Sequence, residues 1–211
     1  MEHKVQHGTT TIGIICKDGV ILAADKRASA GHLIANKKAD KVHQVADFMA
    51  ITTAGLVSDA QLFTRVIKAQ LSLLKIRKNK IPTVEEAANM LASLSYSNIR
   101  RPSMVPGIVG FLIAGYDKNG YHLYEIGIDG SVAKADDFKT DGSGSVFAIG
   151  VLETMYKTDM TIEEGIVVAK KALNAALQRD IYTGNGIDIF AINESGVKKV
   201  YTEEFNTGLK Q

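Results

Sequence analysis

Gly8-Thr9-Thr10-Thr11-Ile12-Gly13-Ile14 opens the first predicted strand of the chain. Threonine and isoleucine favour strands because branching at Cβ suits a pleated surface, so these can be the threonines of an ordinary strand. Cleavage after Gly8 would instead make Thr9 the first residue and place its hydroxyl beside a free α-amine. An α-amine has a pKa of roughly 7.7–8.0 and can accept the proton of an otherwise weak nucleophile. The stretch therefore allows two interpretations, a structural strand and an N-terminal nucleophile.

The composition is typical of a globular protein with one domain. The chain has 211 residues, of which 45% are hydrophobic and 23% charged, and its net charge of +2 is too small to indicate a nucleic-acid partner. The single cysteine, Cys16, excludes an intramolecular disulfide and favours a reducing cytoplasm. Because no apolar run approaches about 20 residues, we expect no membrane span. Residues 1–8 are too short and too polar for a signal peptide, which leaves a tail or a small propeptide.

Turn signals between β-branched runs predict a series of strands. Lys17-Asp18-Gly19 separates two apolar runs and predicts a β-hairpin. Both strands of this hairpin are apolar on two faces, so we expect other layers to cover both sides. The predicted strands cover residues 10–16, 20–24, 41–45, 48–53, 108–116, 121–126 and 187–192.

Helical periodicity and capping signals predict three helices. The first begins near Ser58-Asp59. Its predicted buried stripe consists of Leu62, Val66 and Leu73, widened by Ile67, Leu71 and Leu74. Thr83 with Glu86, and Thr161 with Glu164, have the spacing of a capping box and begin the other two helices. The order of strands, two helices, strands, helix and strand predicts an α+β fold, in which helices pack outside two antiparallel sheets.

A threonine nucleophile needs a cation that favours its deprotonated form, an acid that holds this cation, and backbone N–H groups for the oxyanion. Asp25 and Lys41 are suitable, since each lies at or near the end of a predicted strand. An exposed surface pair explains the same two residues. Gly55 could let the backbone approach a ligand closely, or it could simply form a strand-to-helix turn.

Six pieces of the sequence, taken together and in order, point to a known family. They are Gly8-Thr9-Thr10-Thr11, Ala24-Asp25-Lys26-Arg27, Lys41, Thr53-Ala54-Gly55-Leu56-Val57-Ser58-Asp59-Ala60-Gln61, Gly142-Ser143-Gly144 and Gln178-Arg179-Asp180-Ile181-Tyr182-Thr183-Gly184. In this combination the chain resembles the proteasome β subunit over essentially its whole length. The short stretch before Thr9 is most similar to that of archaeal β subunits.

The resemblance implies the N-terminal-nucleophile hydrolase fold, a four-layer αββα sandwich of two antiparallel sheets covered by helices. It implies that residues 1–8 are a propeptide removed autocatalytically between Gly8 and Thr9, and that residues 9–211 form one catalytic domain. It also implies a threonine endopeptidase. Thr9 is then the nucleophile, Lys41 the cation that lowers its proton affinity, Asp25 the acid that orients the cation, and Gly55 the oxyanion donor.

Three further residues are assigned by the resemblance to support the Thr9 amino group and its water. Asp180 and Ser143 match directly. Thr183 stands where the family often has serine, and it keeps the hydroxyl but adds a methyl group.

The resemblance also implies a set of substrate-binding positions. They are Arg27, Ala28, Ser29, Ala39, His43, Thr53 and Val57. Ser29 occupies a position where the family often has threonine. Five of these positions, Ala28, Ala39, His43, Thr53 and Val57, line the implied specificity pocket. Because these five residues are small and largely uncharged, we predict cleavage after apolar residues. His43 alone is equally a packed or surface histidine, and nothing in the sequence gathers metal-ligand spacing, so we expect neither metal nor cofactor.

The resemblance implies as partners other β subunits in a heptameric ring, a second β ring, α-subunit rings that gate entry and an ATPase that unfolds substrates. Unfolded polypeptides are the implied substrates, and the cytoplasm is the implied location. Two alternatives remain: an inactive ring subunit that only scaffolds the particle, and a bacterial-type threonine protease that works with an unfolding ATPase. Neither nucleic acid nor membrane is expected as a partner.

Overall fold

The computed structural model describes residues 8–104 and 107–205, and in these ranges the chain forms twelve strands and four helices. The strands are β1 Thr11–Cys16, β2 Gly19–Asp25, β3 Ala28–Ala30, β4 Leu33–Asn36, β5 Val42–Ala46, β6 Met49–Gly55, β7 Val109–Asp117, β8 Gly120–Ile126, β9 Val132–Ala135, β10 Phe138–Asp141, β11 Gly186–Asn193 and β12 Gly196–Glu204. The helices are α1 Val57–Lys78, α2 Val84–Ile99, α3 Ser145–Met155 and α4 Ile162–Arg179.

Two five-stranded antiparallel sheets form the middle of the molecule. The first sheet has the order β10-β1-β2-β11-β12 and the second has the order β5-β6-β7-β8-β9, while β3 and β4 form a separate hairpin. Helices α3 and α4 pack on the first sheet, and α1 and α2 pack on the second. The two sheets face each other across a third core. The predicted four-layer αββα sandwich is therefore confirmed.

Strand β2 is apolar from Val20 to Ala24, and both of its faces are buried. Val20, Leu22 and Ala24 point into the core between the two sheets, whereas Ile21 and Ala23 point into the core under α3 and α4. Successive side chains of a strand alternate between its faces, so a strand in the middle of a sandwich needs apolar residues at every position. The predicted coverage of the first hairpin on both sides is confirmed for this strand.

The capping boxes at Thr83 and Thr161 are both formed, and α2 and α4 begin directly after them. The predicted buried face of α1 is confirmed at Ile67 and Leu71 and wrong at Leu62 and Leu73. Its buried side includes Phe63, Ile67 and Leu71, whereas Leu62 and Leu73 are 49% and 45% exposed. Apolar residues lie on more than one side of α1, so periodicity alone does not choose among them. Phe63 decides the choice because its ring packs against Phe111 of β7, with 5.4 Å between the ring centroids.

The predicted elements omit α3, β9, β10, β12 and the β3–β4 hairpin. Helix α3 follows Gly144, which provides no side-chain cap, and it contains Gly150, so it lacks both the start signal and the propensity of a helix. Strand β12 is an edge strand that is exposed along most of its length, so it lacks an apolar alternation. None of the helices in the described ranges combines the length and the apolarity needed to cross a membrane.

Candidate active site

Thr9 lies at one wall of a cavity of about 320 Å³, immediately before β1. The residue is 5% exposed, and Lys41 and Gly55 line the same cavity. β1 and β2 bring Thr9 close to Asp25, because the antiparallel pair places Thr11 opposite Ala24. The end of β2, the segment before β5 and the end of β6 therefore meet at the threonine.

Asp25 and Lys41 form a buried ion pair, which we call the lysine arm. Lys41 Nζ donates to Asp25 Oδ1 at 2.6 Å, and the backbone N–H of Thr10 donates to the same oxygen at 3.0 Å. The other oxygen, Oδ2, accepts from the N–H groups of Arg27 and Gly184, both at 3.0 Å. Burial lowers the pKa of the Lys41 ammonium, and the Asp25 carboxylate offsets this only in part. The alternative of an exposed surface pair is therefore wrong, because Asp25 and Lys41 form a buried pair at the cavity of the candidate nucleophile.

Ser143, Asp180 and Thr183 form a second group, which we call the serine arm. Asp180 caps the C-terminus of α4, and its Oδ2 accepts from Ser143 Oγ and from Thr183 Oγ1, both at 2.6 Å. Ser143 Oγ in turn accepts from the backbone N of Thr9 at 3.3 Å. Asp180 and Thr183 line a neighbouring cavity of about 440 Å³, so this arm lies behind Thr9 and supports its nitrogen from the other side.

The peptide bond between Gly8 and Thr9 is held tightly. The Thr9 hydroxyl donates to the carbonyl oxygen of Gly8 at 2.8 Å. A Cβ at position 8 would overlap the Tyr182 side chain and crowd Ser143 Oγ, so this conformation has room only for glycine. The predicted propeptide, residues 1–7 of which lie outside the described residues, thus joins Thr9 through a residue that must be small.

Gly55 ends β6 at the cavity with a φ of 139°, a conformation that other residues rarely adopt. A Cβ here would also overlap the carbonyl oxygen of Ile108, and the following residue, Leu56, donates its N–H to that oxygen at 3.1 Å. Gly55 is therefore required for the close approach of two backbone segments at the cavity wall. This agrees with both sequence interpretations, the turn and the approach to a ligand.

All seven residues predicted to bind substrate line the cavity of Thr9. Arg27 does so while its side chain is engaged elsewhere. Its Nε donates to Asn185 Oδ1 at 2.8 Å, and its Nη1 donates to the carbonyl oxygen of Ile181 at 2.7 Å. Arg27 thus fixes the 181–185 loop that carries Thr183. Burial lowers the pKa of the His43 imidazole, which favours its neutral form inside the cavity.

Further residues at the cavity were missing from the predicted set. They are Asn36, Lys38, Asp40, Ala60 and Gln61. Gln61 lies four residues after Val57 on α1, so helical spacing could have identified it. Asn36, Lys38 and Asp40 alternate along the segment that leads from β4 to Lys41, but no sequence signal indicated that this segment borders the cavity. The rim is therefore more polar than the predicted residues suggest.

The polar contacts around Thr9 join oxygen and nitrogen atoms of hydroxyl, carboxylate, ammonium and backbone groups. Within residues 8–104 and 107–205, no group of three or more histidine, cysteine, aspartate or glutamate side chains is positioned to hold a metal ion. Cys16 is buried, and burial raises the pKa of its thiol to about 12, so it is not an activated nucleophile.

Comparisons with known proteins agree with the geometry. The family described as "Proteasome subunit" matches residues 5–192. The "Proteasome subunit beta" of Methanococcus maripaludis strain C5 is 42% identical over 205 residues, which cover 97% of this chain and 92% of the relative. The proteins of the same name from Methanocaldococcus vulcanius and Archaeoglobus fulgidus are 43% and 40% identical, and cover 93% and 97% of this chain and 87% and 94% of the relatives. The chain therefore belongs to the proteasome subunit family, and within it to the β subunits.

Proposed function

We propose that this chain is a proteolytic subunit of a proteasome core particle and that Thr9 is its nucleophile after residues 1–8 are removed. The observation that carries the proposal is the convergence of the lysine arm and the serine arm on Thr9. Lys41 supplies a positive charge beside the cavity, and Ser143 and Asp180 provide partners for the nitrogen of Thr9. A threonine with only a structural role in a strand would not require a buried ion pair and a hydroxyl–carboxylate pair beside it.

The proposed reaction is acyl transfer. Thr9 Oγ1 attacks a peptide carbonyl, and its proton passes to the free α-amine and from there to the leaving nitrogen. The C–N bond then breaks, which releases the amine product and leaves an ester on Thr9. The charge of Lys41 lowers the proton affinity of the hydroxyl, and the N–H of Gly55 stabilises the oxyanion. Water, deprotonated by the same α-amine, then hydrolyses the ester and returns the hydroxyl to Thr9.

The same hydroxyl is proposed to remove the leader. In the uncleaved chain, Thr9 Oγ1 already contacts the carbonyl group that it must attack, through the 2.8 Å hydrogen bond to Gly8 O. Attack at the Gly8 carbonyl carbon, with transfer of the hydroxyl proton to the departing nitrogen, converts the amide to an ester and frees the α-amine. Hydrolysis of this ester then releases residues 1–8 and restores the Thr9 hydroxyl. Gly8 supports this step, because a larger residue would collide with Tyr182 and shift the scissile bond.

The cavity supports cleavage after apolar residues. Ala28, Ala39 and Val57 present aliphatic groups, and the lowered pKa of His43 keeps it neutral at pH 7. Fluorogenic peptides that differ only in the residue before the scissile bond test this preference. We expect higher kcat/KM for leucine or tyrosine than for glutamate or lysine at that position. Faster cleavage after glutamate would contradict it.

The family and the relatives support assembly with other subunits. We propose a heptameric β ring that faces a second β ring, with α rings at the ends and an unfolding ATPase that delivers unfolded polypeptides in the cytoplasm. The alternatives of an inactive ring subunit and of a bacterial-type threonine protease are not favoured, because the similar proteins are β subunits and the chain keeps Thr9, Asp25 and Lys41.

Intact-mass analysis of the particle co-assembled with α subunits tests the nucleophile. We expect the parent chain to lose residues 1–8 and the Thr9→Ala chain to keep them, and we expect peptidase activity only in the parent. If both chains keep the leader and are inactive, the nucleophile proposal is wrong and the scaffold alternative gains support. If both lose it, the leader is cut in trans, and peptidase activity alone decides the role of Thr9.

A further inference from the structure

Thr10 is a completely buried residue that contacts the lysine arm through its backbone. Its N–H donates to Asp25 Oδ1 at 3.0 Å, and its carbonyl oxygen accepts from the N–H of Asp25 at 3.2 Å. The backbone of Thr10 is therefore hydrogen-bonded to Asp25 both as a donor and as an acceptor. Any displacement of Thr10 moves Asp25 with it.

The side chain of Thr10 contacts the serine arm. Its Oγ1 lies 2.6 Å from Thr183 Oγ1, and Thr183 Oγ1 donates to Asp180 Oδ2 at 2.6 Å. A hydroxyl group has one hydrogen, and the carboxylate can only accept. Because the hydrogen of Thr183 points to Asp180, the hydrogen between the two threonines comes from Thr10. The chain of donors therefore runs from Thr10 through Thr183 to Asp180.

The position of this hydroxyl is fixed by packing. A Cβ on Gly144 would overlap Thr10 Oγ1 and would also crowd Ala176 and Thr183, so the oxygen fits directly against the glycine backbone. The N–H of Gly144 contacts the carbonyl oxygen of Thr9 at 3.4 Å. The turn before α3 thus confines Thr10 and Thr9 together, which holds the hydroxyl of Thr10 in the orientation that reaches Thr183.

From these contacts we propose that Thr10 is a positioning residue that couples the two arms. Its hydroxyl orients Thr183, which orients the Asp180 oxygen shared with Ser143, the partner of the Thr9 nitrogen. Its backbone meanwhile holds Asp25. The proposal rests on the proposed function, since it assigns Thr10 a role in the reaction of Thr9. Thr10 does not line the cavity, so it acts on the chemical step and leaves substrate affinity unchanged.

Thr10→Val tests the proposal, because valine keeps the shape of threonine and removes the hydroxyl. In the particle co-assembled with α subunits, we expect kcat per processed chain to fall by about 10- to 100-fold with KM unchanged, as expected when catalytic groups are slightly misplaced. Leader removal, followed by intact mass, should slow in parallel. Thr10→Ser, which keeps the hydroxyl, should restore kcat to within about threefold of the parent.

Thr11→Val is the matched control. Thr11 is as buried as Thr10, but its hydroxyl donates to the backbone carbonyl of Asp141 at 3.3 Å and contacts neither arm. We expect this variant to keep the kcat and the pH profile of the parent. Equal kcat values and equal pH profiles for Thr10→Val and Thr11→Val would overturn the proposal.

A double-mutant cycle identifies the route of the effect. If Thr10 acts through Thr183, then Thr10→Val should cost little in a Thr183→Val background, whereas additive losses would overturn the coupling. Should Thr10→Val fail to assemble, Thr10→Cys compared with Thr10→Ser asks the same question, because a thiol is a weaker donor of similar size. Equal kcat for these two variants would also overturn the proposal. An inactive parent would instead mean that the proposed function itself has failed.

Discussion

Asp25 and Lys26 are neighbours in sequence, and each belongs to a buried lysine–aspartate pair. Asp25 pairs with Lys41 at 2.6 Å, and Lys26 pairs with Asp188 of β11 at 3.2 Å. All four side chains are less than 9% exposed. The two pairs therefore look alike by distance and burial, yet only the first lies at the cavity of Thr9.

The surroundings of the two aspartates differ. Asp188 receives two cations, Lys26 and Lys199, together with the hydroxyl of Thr202 at 2.6 Å. Burial favours the neutral form of Asp188, but these hydrogen bonds and charges outweigh it and lower the pKa of the carboxyl. The pair is thus a closed cluster that joins the end of β2 to β11 and β12.

Asp25 instead receives one cation, Lys41, and the backbone N–H groups of Thr10, Arg27 and Gly184. Three backbone donors stabilise the carboxylate without adding charge, so the lysine is not required to satisfy it alone. Lys41 reaches the cavity wall beside Thr9, where its charge can act on the hydroxyl. A buried ion pair therefore indicates function only when its cation also borders a cavity with a reactive group.

The largest expected effect comes from Lys41→Met, which should break the functional pair. We expect kcat to fall by roughly 10²- to 10⁴-fold, the range for losing a group that assists proton transfer. Leader removal should fail for the same reason. Peptide hydrolysis and intact mass of the co-assembled particle measure both.

Lys26→Met is the matched variant, since it removes the same ammonium from a pair of equal burial. Peptidase activity per assembled, processed chain should stay within about threefold of the parent, while the melting temperature of the chain falls. Breaking a buried pair typically costs about 3–5 kcal/mol, and the cost here should be smaller because Lys199 and Thr202 still satisfy Asp188. Equal losses of activity in the two variants would show that the pairs do not differ in function.

Local signals in the sequence predicted much of the fold. The Asp18-Gly19 turn and the capping boxes at Thr83 and Thr161 act within a few residues, so the sequence alone identifies the elements that they start. The buried face of α1 could not be predicted in this way, because it depends on where Phe63 meets Phe111 of β7. Helix α3 lacks a side-chain cap and is defined by the layer on which it packs.

Short-range sequence signals explain even less of the active site than of the fold. Ser143 and Thr9 are 134 residues apart, and Thr10 and Thr183 are 173 apart, so no spacing rule brings them together. Thr9, Asp25, Lys41 and Gly55 were suggested by chemical need, whereas Ser143, Asp180 and Thr183 were suggested only by resemblance to a family. Thr10 was missed because its sequence context is that of a strand threonine. Only its contacts distinguish it from Thr11.

The smallest expected effect is a change in the pH dependence of activity, and it also distinguishes the two lysine–aspartate pairs. Burial lowers the pKa of Lys41 from its ordinary 10.5, and the mechanism needs the charged form. The pH profile should therefore have an alkaline limb, along which activity falls as the pH rises through the pKa of Lys41 in the folded protein, at a pH below 10.5. The acid limb belongs to the Thr9 α-amine, which must lose its proton to act as the base. Lys26→Met should leave this alkaline limb in place. In Lys41→Arg, the guanidinium keeps its proton, so the limb should vanish from whatever activity remains. A limb that survives in Lys41→Arg, or that moves in Lys26→Met, would assign the titration to another group and remove the main electrostatic distinction between the two pairs.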